Sequence, residues 1–147
     1  RQVYGIDINS RRIEEAIRTA QKLGIGNVHY HIADAGTYDF QQEFDVIVVL
    51  DLLHYLEPET ALNLIQQAYR HLKPGGLFII KDVTRNPFWK RWFTYSLDKL
   101  MNFRGPIHYR DVKFWRQRAQ EAGFNKVLIY HLSDYLPYPH VLLICHR

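Results

Sequence analysis

Phe44-Asp45-Val46-Ile47-Val48-Val49-Leu50-Asp51-Leu52-Leu53-His54-Tyr55-Leu56 is followed further along the chain by Leu72-Lys73-Pro74-Gly75-Gly76-Leu77-Phe78-Ile79-Ile80-Lys81-Asp82. The first phrase opens as a continuous apolar run, the pattern of a strand covered on both faces, and ends in a polar tip. Pro58-Glu59 then supplies good first-turn chemistry for a helix. Its expected buried face is Leu62, Ile65, Ala68, Tyr69 and Leu72. Lys73-Pro74-Gly75-Gly76 reads as a turn, and Leu77 to Val83 as a second buried strand. Strand, helix, strand at this spacing is a parallel crossover unit.

The same rhythm extends in both directions. Gln2 to Ile8 reads as a short strand ending in Asp7. Asn9-Ser10 caps a helix with Ile13, Ala16, Ile17, Ala20 and Leu23 on one face, stopped by Gly24 and Gly26. Asn27 to Ala33 is a second strand ending at Asp34, and 36–43 is a polar connection. Downstream, Tyr109 to Ala122 reads as a helix with Val112, Trp115, Ala119 and Ala122 inward, stopped by Gly123. Phe124 to Leu132 and His140 to His146 are the last strands. The short connection between them, 133–139, predicts an antiparallel edge, with the last strand inserted beside Leu77 to Val83. The whole is an α/β chain with a doubly wound, mostly parallel sheet and a C-terminal antiparallel hairpin.

Composition sets limits. At 147 residues the chain has the size of one domain with a sizeable core. Its 47% hydrophobic content fits a globular protein. No apolar run is long enough to span a membrane as a helix. A single cysteine, Cys145, excludes an internal disulfide and fits a reducing, cytoplasmic compartment. The net charge of +4 permits anionic partners, although a mildly basic surface is the simpler reading. His29 and His31 share one strand face without a carboxylate or thiol at ligand spacing, so no metal site is expected. No Ser nucleophile elbow, P-loop or CxxC occurs.

The phrases Val3-Tyr4-Gly5-Ile6-Asp7-Ile8-Asn9, Ile32-Ala33-Asp34-Ala35, Leu50 to Leu56 and Leu72 to Gly76 resemble class I S-adenosylmethionine-dependent methyltransferases of the small-molecule type, across nearly the whole chain. The resemblance implies a Rossmann-like fold and S-adenosylmethionine as cofactor. It implies that Asp7 accepts the ribose hydroxyls and that Ile8 covers adenine. Asp34 receives the adenine amino group, the Ala35 N–H serves a ring nitrogen, and Leu50 faces the methionine part. A carboxylate at a strand end suits a diol because it offers two coplanar acceptor oxygens. Without the resemblance, Asp7 reads as a capping aid and Asp34 as an Asx-turn.

His54 is the candidate general base, since a His titrates near neutrality; the structural alternative is a hydrogen-bonded His that orients its loop. Many relatives carry two consecutive His where this chain has His54-Tyr55, which leaves the substrate class open. Tyr55, Asp82, Arg85, Trp89 and His108 are the candidate substrate contacts, with Thr84 also considered. The segment 84–108 breaks the α/β rhythm with Trp89, Trp92, Phe93, Tyr95, Met101 and Phe103 among Arg85, Lys90, Arg91, Lys99 and Arg104. It reads as an inserted lid, with Phe88, Trp92, Tyr95 and Lys99 on one helix face. The alternative is a lid whose aromatics pack on the domain. Leu52-Leu53-His54-Tyr55-Leu56 resembles the small-molecule branch, which implies a small or lipid-like acceptor, and the basic and aromatic segment 84–108 allows a peripheral membrane contact. Nucleic acid is disfavoured, because no Asn/Asp-Pro-Pro-Tyr/Phe phrase follows the third strand.

The resemblance also has a gap. The family begins with a strand and a Gly-rich loop of the G-x-G-x-G kind, placed between the strands at 2–8 and 44–50. Neither occurs here, so 1–147 is expected to be an N-terminally incomplete methyltransferase domain with two unpaired inner strand edges. A nicotinamide dehydrogenase-like domain and a non-catalytic binding domain are the competing readings.

Overall fold

The computed structural model describes residues 1–101, 106–132 and 138–147. Phe103, Arg104 and most of the hairpin connection, 133–137, lie outside the described residues, as do the side chains of Arg91, Phe93 and Met101. The chain forms two compact units, Arg1–Asp39 and Phe40–Arg147.

The first unit is strand β1 (Val3–Asp7), helix α1 (Ser10–Lys22) and strand β2 (Val28–Ile32). β1 and β2 pair in parallel, with Asp7 opposite Ile32. Asn9 caps α1, its side chain accepting from the N–H groups of Arg11 and Arg12. Ile13 and Ala20 are buried, but Ile17 and Leu23 of the expected apolar face are exposed. The reason is width: α1 lies on a sheet of only two strands, which cannot cover its full stripe.

The second unit holds β3 (Phe44–Leu50), a 3-10 turn (Leu53–Tyr55), α2 (Pro58–His71), β4 (Leu72–Val83), α3 (Phe88–Met101), α4 (Val112–Ala122), β5 (Lys126–His131) and β6 (His140–His146). Its sheet runs β3-β4-β6-β5. β3 and β4 are parallel, and β6 is antiparallel to both β4 and β5. The inserted position expected for the last strand is therefore the observed one. Among the described residues β1 and β3 each pair with one strand only, β2 and β4 respectively.

Three expectations change. The turn at Lys73–Gly76 does not precede β4 but interrupts it: Leu72 pairs with Phe44 and Leu77 with Val46, so the intervening residues bulge out around Gly75 at φ 78°. Leu72 consequently belongs to the sheet and not to α2, whose buried face is Ala61, Leu64, Ile65 and Ala68. The helix expected from Tyr109 begins only at Val112, because Asp111 is its cap and Arg110 is held extended in a bridge to Thr84.

Phe78, Ile80, Val141, Leu143 and Cys145 point to one face of the sheet and are buried with Ala68, Trp115, Ala119 and Phe124. Full burial of each large apolar side chain contributes about 1.5–3 kcal/mol. Burial also pushes the Cys145 thiol up to about 12. Gly123, at φ 112°, ends α4 where a Cβ would meet the Tyr69 ring at 2.6 Å. On the opposite sheet face the β3 side chains Val46, Val48 and Leu50 are exposed, whereas β3 was expected to be covered on both faces.

Candidate active site

Two sets of strand ends carry the candidate residues, one in each unit. In the first unit, Asp7 closes β1. Its Oδ1 accepts from the Asn9 N–H at 2.8 Å, and its Oδ2 lies 3.4 Å from Arg12 Nη1. The capping role is thus present, yet each carboxylate oxygen keeps acceptor capacity. Ile8 beside it is 72% exposed. Asp34 forms the Asx-turn, accepting from the Gly36 N–H at 2.8 Å, and is itself exposed. Two accessible carboxylates and an exposed apolar side chain are groups that suit a nucleoside: acceptors for hydroxyl and amino groups, and a surface for a base. These residues fit an adenosine-bearing cofactor.

In the second unit the 3-10 turn after β3 places His54 above the end of β4. Asp82 is fully buried. Its Oδ1 lies 2.5 Å from His54 Nδ1 and accepts from the Val83 N–H at 2.7 Å, while Oδ2 accepts from the His54 N–H at 3.2 Å. A carboxylate only accepts, so Nδ1 carries a proton, and in the neutral ring the lone pair then lies at Nε2. Asp82 therefore fixes both the tautomer and the ring plane of His54, as a base requires. The expectation that Asp82 meets a substrate gives way to this geometry, since no part of it is exposed. Thr84 is likewise turned inward, its hydroxyl donating to the carbonyls of Asn86 and Pro139.

His54 borders a cavity of about 200 Å³ together with Asp51, Tyr55, Val83, Thr94, Leu97, Tyr138 and His140. Asp51 has a φ of 49°. That is a left-handed conformation, strained for a non-glycine residue. Its carboxylate pairs with Lys81 and lies 3.7 Å from His140 Nε2. The His140 ring stacks on Tyr138. Burial, helped by the positive charge of Lys81, holds His140 below the usual His value against the pull of Asp51 and Asp82. The cavity thus offers two imidazoles, a carboxylate and two phenol rings.

Tyr55 lines this space; Arg85, Trp89 and His108 do not. Arg85 is exposed. Trp89 is exposed beneath the Lys90 ammonium, 5.1 Å from its ring centroid. His108 donates its N–H to the His54 carbonyl at 2.7 Å and directs its ring at Glu57. Leu50, at the end of β3, is exposed. Helix α3 reverses one expectation. Phe88, Trp92 and Tyr95 point outward, whereas Thr94 and Lys90 are buried and Leu97 reaches the cavity. Sequence reasoning missed Asp51, His140 and Tyr138. Asp51 stood inside the diagnostic phrase, and its backbone strain has no sequence signal. His140 read as the first residue of a strand.

The sequence model of a family described as "Methyltransferase domain" matches residues 1–76. Over 133 residues the chain is 29% identical to phosphoethanolamine N-methyltransferase 1 of Arabidopsis thaliana, covering 90% of this chain and 26% of that one. The apo crystal structure of the S-adenosylmethionine-dependent methyltransferase SibL superposes with a TM-score of 0.78 at 22% identity, over 99% of this chain and 43% of that chain. Phosphoethanolamine N-methyltransferase 2 of Haemonchus contortus, solved with phosphomonomethylethanolamine and S-adenosylhomocysteine, gives 0.77 at 16% identity, over 99% and 44%.

The chain belongs to this methyltransferase-domain family, and its fold is the α/β fold of S-adenosylmethionine-dependent methyltransferases. It spans about a quarter of the length of the plant phosphoethanolamine N-methyltransferases it matches.

Proposed function

We propose that the protein containing this domain transfers a methyl group from S-adenosylmethionine to a small acceptor seated against His54. The observation that carries the proposal is the buried Asp82–His54 pair, fixed with Nε2 as the lone-pair nitrogen, at the wall of a cavity. The bound cofactor supplies a methyl group already activated as a sulfonium. Asp7 would hold its ribose hydroxyls, Ile8 and Asp34 its adenine, with the Ala35 N–H on the ring and Leu50 on the methionine part.

His54 removes the proton from the acceptor nitrogen or oxygen as the lone pair there attacks, and the Asp82 carboxylate stabilises the imidazolium formed. Thr94 and Leu97 of α3 close one wall against water, which is the lid role proposed for 84–108. The cavity, at about 200 Å³, is smaller than the pockets that enclose drug-sized ligands. That favours a small acceptor over a whole lipid. The names of the phosphoethanolamine N-methyltransferases support an amine, and Asp51 suits its charge before deprotonation.

A second proposal rests on the outward aromatics of α3. Phe88, Trp89, Trp92 and Tyr95 are exposed. With the nearby Arg85 and Lys99 they form an amphipathic surface of the kind that rests on an anionic bilayer. Among the described residues no helix is long and apolar enough to cross a membrane. That β1 and β3 each have a single pairing strand among the described residues supports a third, that further chain pairs with each of them in the complete protein.

The test uses the complete protein. Calorimetry with S-adenosylhomocysteine should show Asp7→Ala weakened by about 1.5–3 kcal/mol for each charge-assisted bond lost. Methylation of phosphoethanolamine as a probe acceptor should fall about 10²–10⁴-fold in kcat for His54→Gln, with cofactor affinity kept. Wild-type affinity in Asp7→Ala removes the ribose assignment; wild-type kcat in His54→Gln removes the base. Cofactor binding without transfer to any small amine or hydroxyl acceptor would favour the non-catalytic reading.

A further inference from the structure

His54 is held at each of its backbone polar groups as well as through its ring. Its N–H donates to Asp82 Oδ2 at 3.2 Å, and its carbonyl accepts from the His108 N–H at 2.7 Å. The two carbonyls that bracket it in the turn, those of Leu53 and Leu56, converge on a single side chain. Arg110 Nη1 donates to the Leu53 carbonyl at 2.8 Å, and Nη2 to the Leu56 carbonyl at 2.7 Å. Nη1 also lies 3.3 Å from the His108 carbonyl.

The guanidinium itself is immobilised. Arg110 is buried, with its Cζ 5.1 Å from the Trp115 ring centroid and 5.7 Å from that of Phe114. Its backbone bridges Thr84, two residues beyond Asp82 on the same strand end. Burial costs this cation solvation, and the charges of Asp82 and Glu57 oppose the loss. A buried charge spent on backbone carbonyls of a short turn is expensive, and a neutral donor would cap them at lower cost. The planar fork has a property a neutral donor or a lysine lacks: two nitrogens at fixed separation, which set the distance between two carbonyls.

We propose that Arg110 is a positioning residue for His54: its guanidinium fixes the separation of the Leu53 and Leu56 carbonyls and so sets the turn that aims the imidazole into the cavity. The catalytic meaning of this device rests on the methyl-transfer reading above, but the geometry does not. Arg110 touches neither the cavity nor the reacting atoms; it acts through the turn. Asp82, on β4, lies below the turn, and Arg110, bridged to Thr84 just past the end of β4, lies beside it, so the surroundings of one strand end dictate the pose of the candidate base.

The test is made on the complete protein, with His54 isotope-labelled and its ring signals assigned by their loss in His54→Gln. The wild type should show a downfield, slowly exchanging Nδ1 proton that Asp82→Asn shifts or removes. Arg110→Met should speed its exchange by about tenfold or more, the scale of one charge-assisted hydrogen bond. Arg110→Lys, which keeps the charge without the fork, should fall between the two. Gln117→Gly, an exposed change in α4 that costs about 1 kcal/mol by helix propensity, controls for simple loss of stability and should leave the signal unchanged.

In the methylation assay with phosphoethanolamine as acceptor, Arg110→Met should lower kcat while leaving S-adenosylhomocysteine affinity intact. Wild-type exchange of the His54 proton in Arg110→Met overturns the proposal, as does an equal effect of Gln117→Gly. Absence of methyl transfer by the wild type would count against the functional reading alone, because the spectroscopic comparison needs no turnover.

Discussion

Asp82→Asn is the most informative single change, because the structure fixes what the carboxylate does. Its two oxygens serve three N–H groups, His54 Nδ1 at 2.5 Å, the His54 backbone at 3.2 Å and the Val83 backbone at 2.7 Å. Hydrogen bonds to a charged acceptor contribute about 1.5–3 kcal/mol each, and neutral ones about 0.5–1.5 kcal/mol. Exchanging charge for dipole at three bonds therefore loses about 3 kcal/mol. The amide adds a second cost, since its NH₂ must face an N–H that formerly had an acceptor, leaving a buried donor unsatisfied at about 1–3 kcal/mol. Against both stands the easier burial of a neutral amide than of a carboxylate.

The net expectation is a loss of about 2–4 kcal/mol, or a fall in Tm on the order of 10 °C for a chain of this size. Urea unfolding at neutral pH, followed by circular dichroism, measures it directly, with the slope m checked for constancy. Stability within about 0.5 kcal/mol of the wild type would refute the reasoning. It would mean that desolvation of the buried charge cancels everything the three bonds supply. The same variant should lose the fixed tautomer of His54, because an amide can either donate to or accept from Nδ1.

His140 carries a pH dependence whose sign follows from its surroundings, Lys81, Asp51, Asp82 and His54. Its pKa in the folded chain lies below the ordinary 6.5, so around that pH the folded state binds fewer protons than the unfolded state. Its contribution is present above 6.5 and is lost as pH falls through the folded value, and His140→Gln should flatten that part of the stability curve; a proton-NMR titration midpoint at or above 6.5 would contradict this. The outward face of α3 predicts that the complete protein floats with phosphatidylserine vesicles and that Trp92→Ser with Trp89→Ser reduces the bound fraction. Equal flotation of wild type and variant removes the membrane proposal.

Much of this was legible in the residue order, and the illegible part has physical causes. The strands at Val3, Val28, Phe44, Leu77 and His140 announce themselves because the hydrophobic effect demands apolar runs of strand length. Helix starts at Asn9 and Pro58 and the stop at Gly123 follow from backbone groups that need caps or a positive φ. The insertion of an antiparallel last strand between β4 and β5 was expected at the short connection, and the ladder bears it out.

The sequence by itself determined the order and type of the strands and helices, though not the starts of β4 at Leu72 and of α4 at Val112, and it marked Asp7, Asp34 and His54 as polar residues at or beside strand ends. Those are local matters of periodicity and capping, settled by neighbours along the chain. Tertiary structure alone decided that Asp82 lies beneath His54 rather than before a substrate. It also decided that Arg110 clamps the turn, that Asp51 and His140 share one cavity, and that the aromatics of α3 face outward. Each of these joins residues far apart in the chain. Their partnership depends on strand register and on the cost of leaving a buried polar group unpaired, neither of which is written in any one segment.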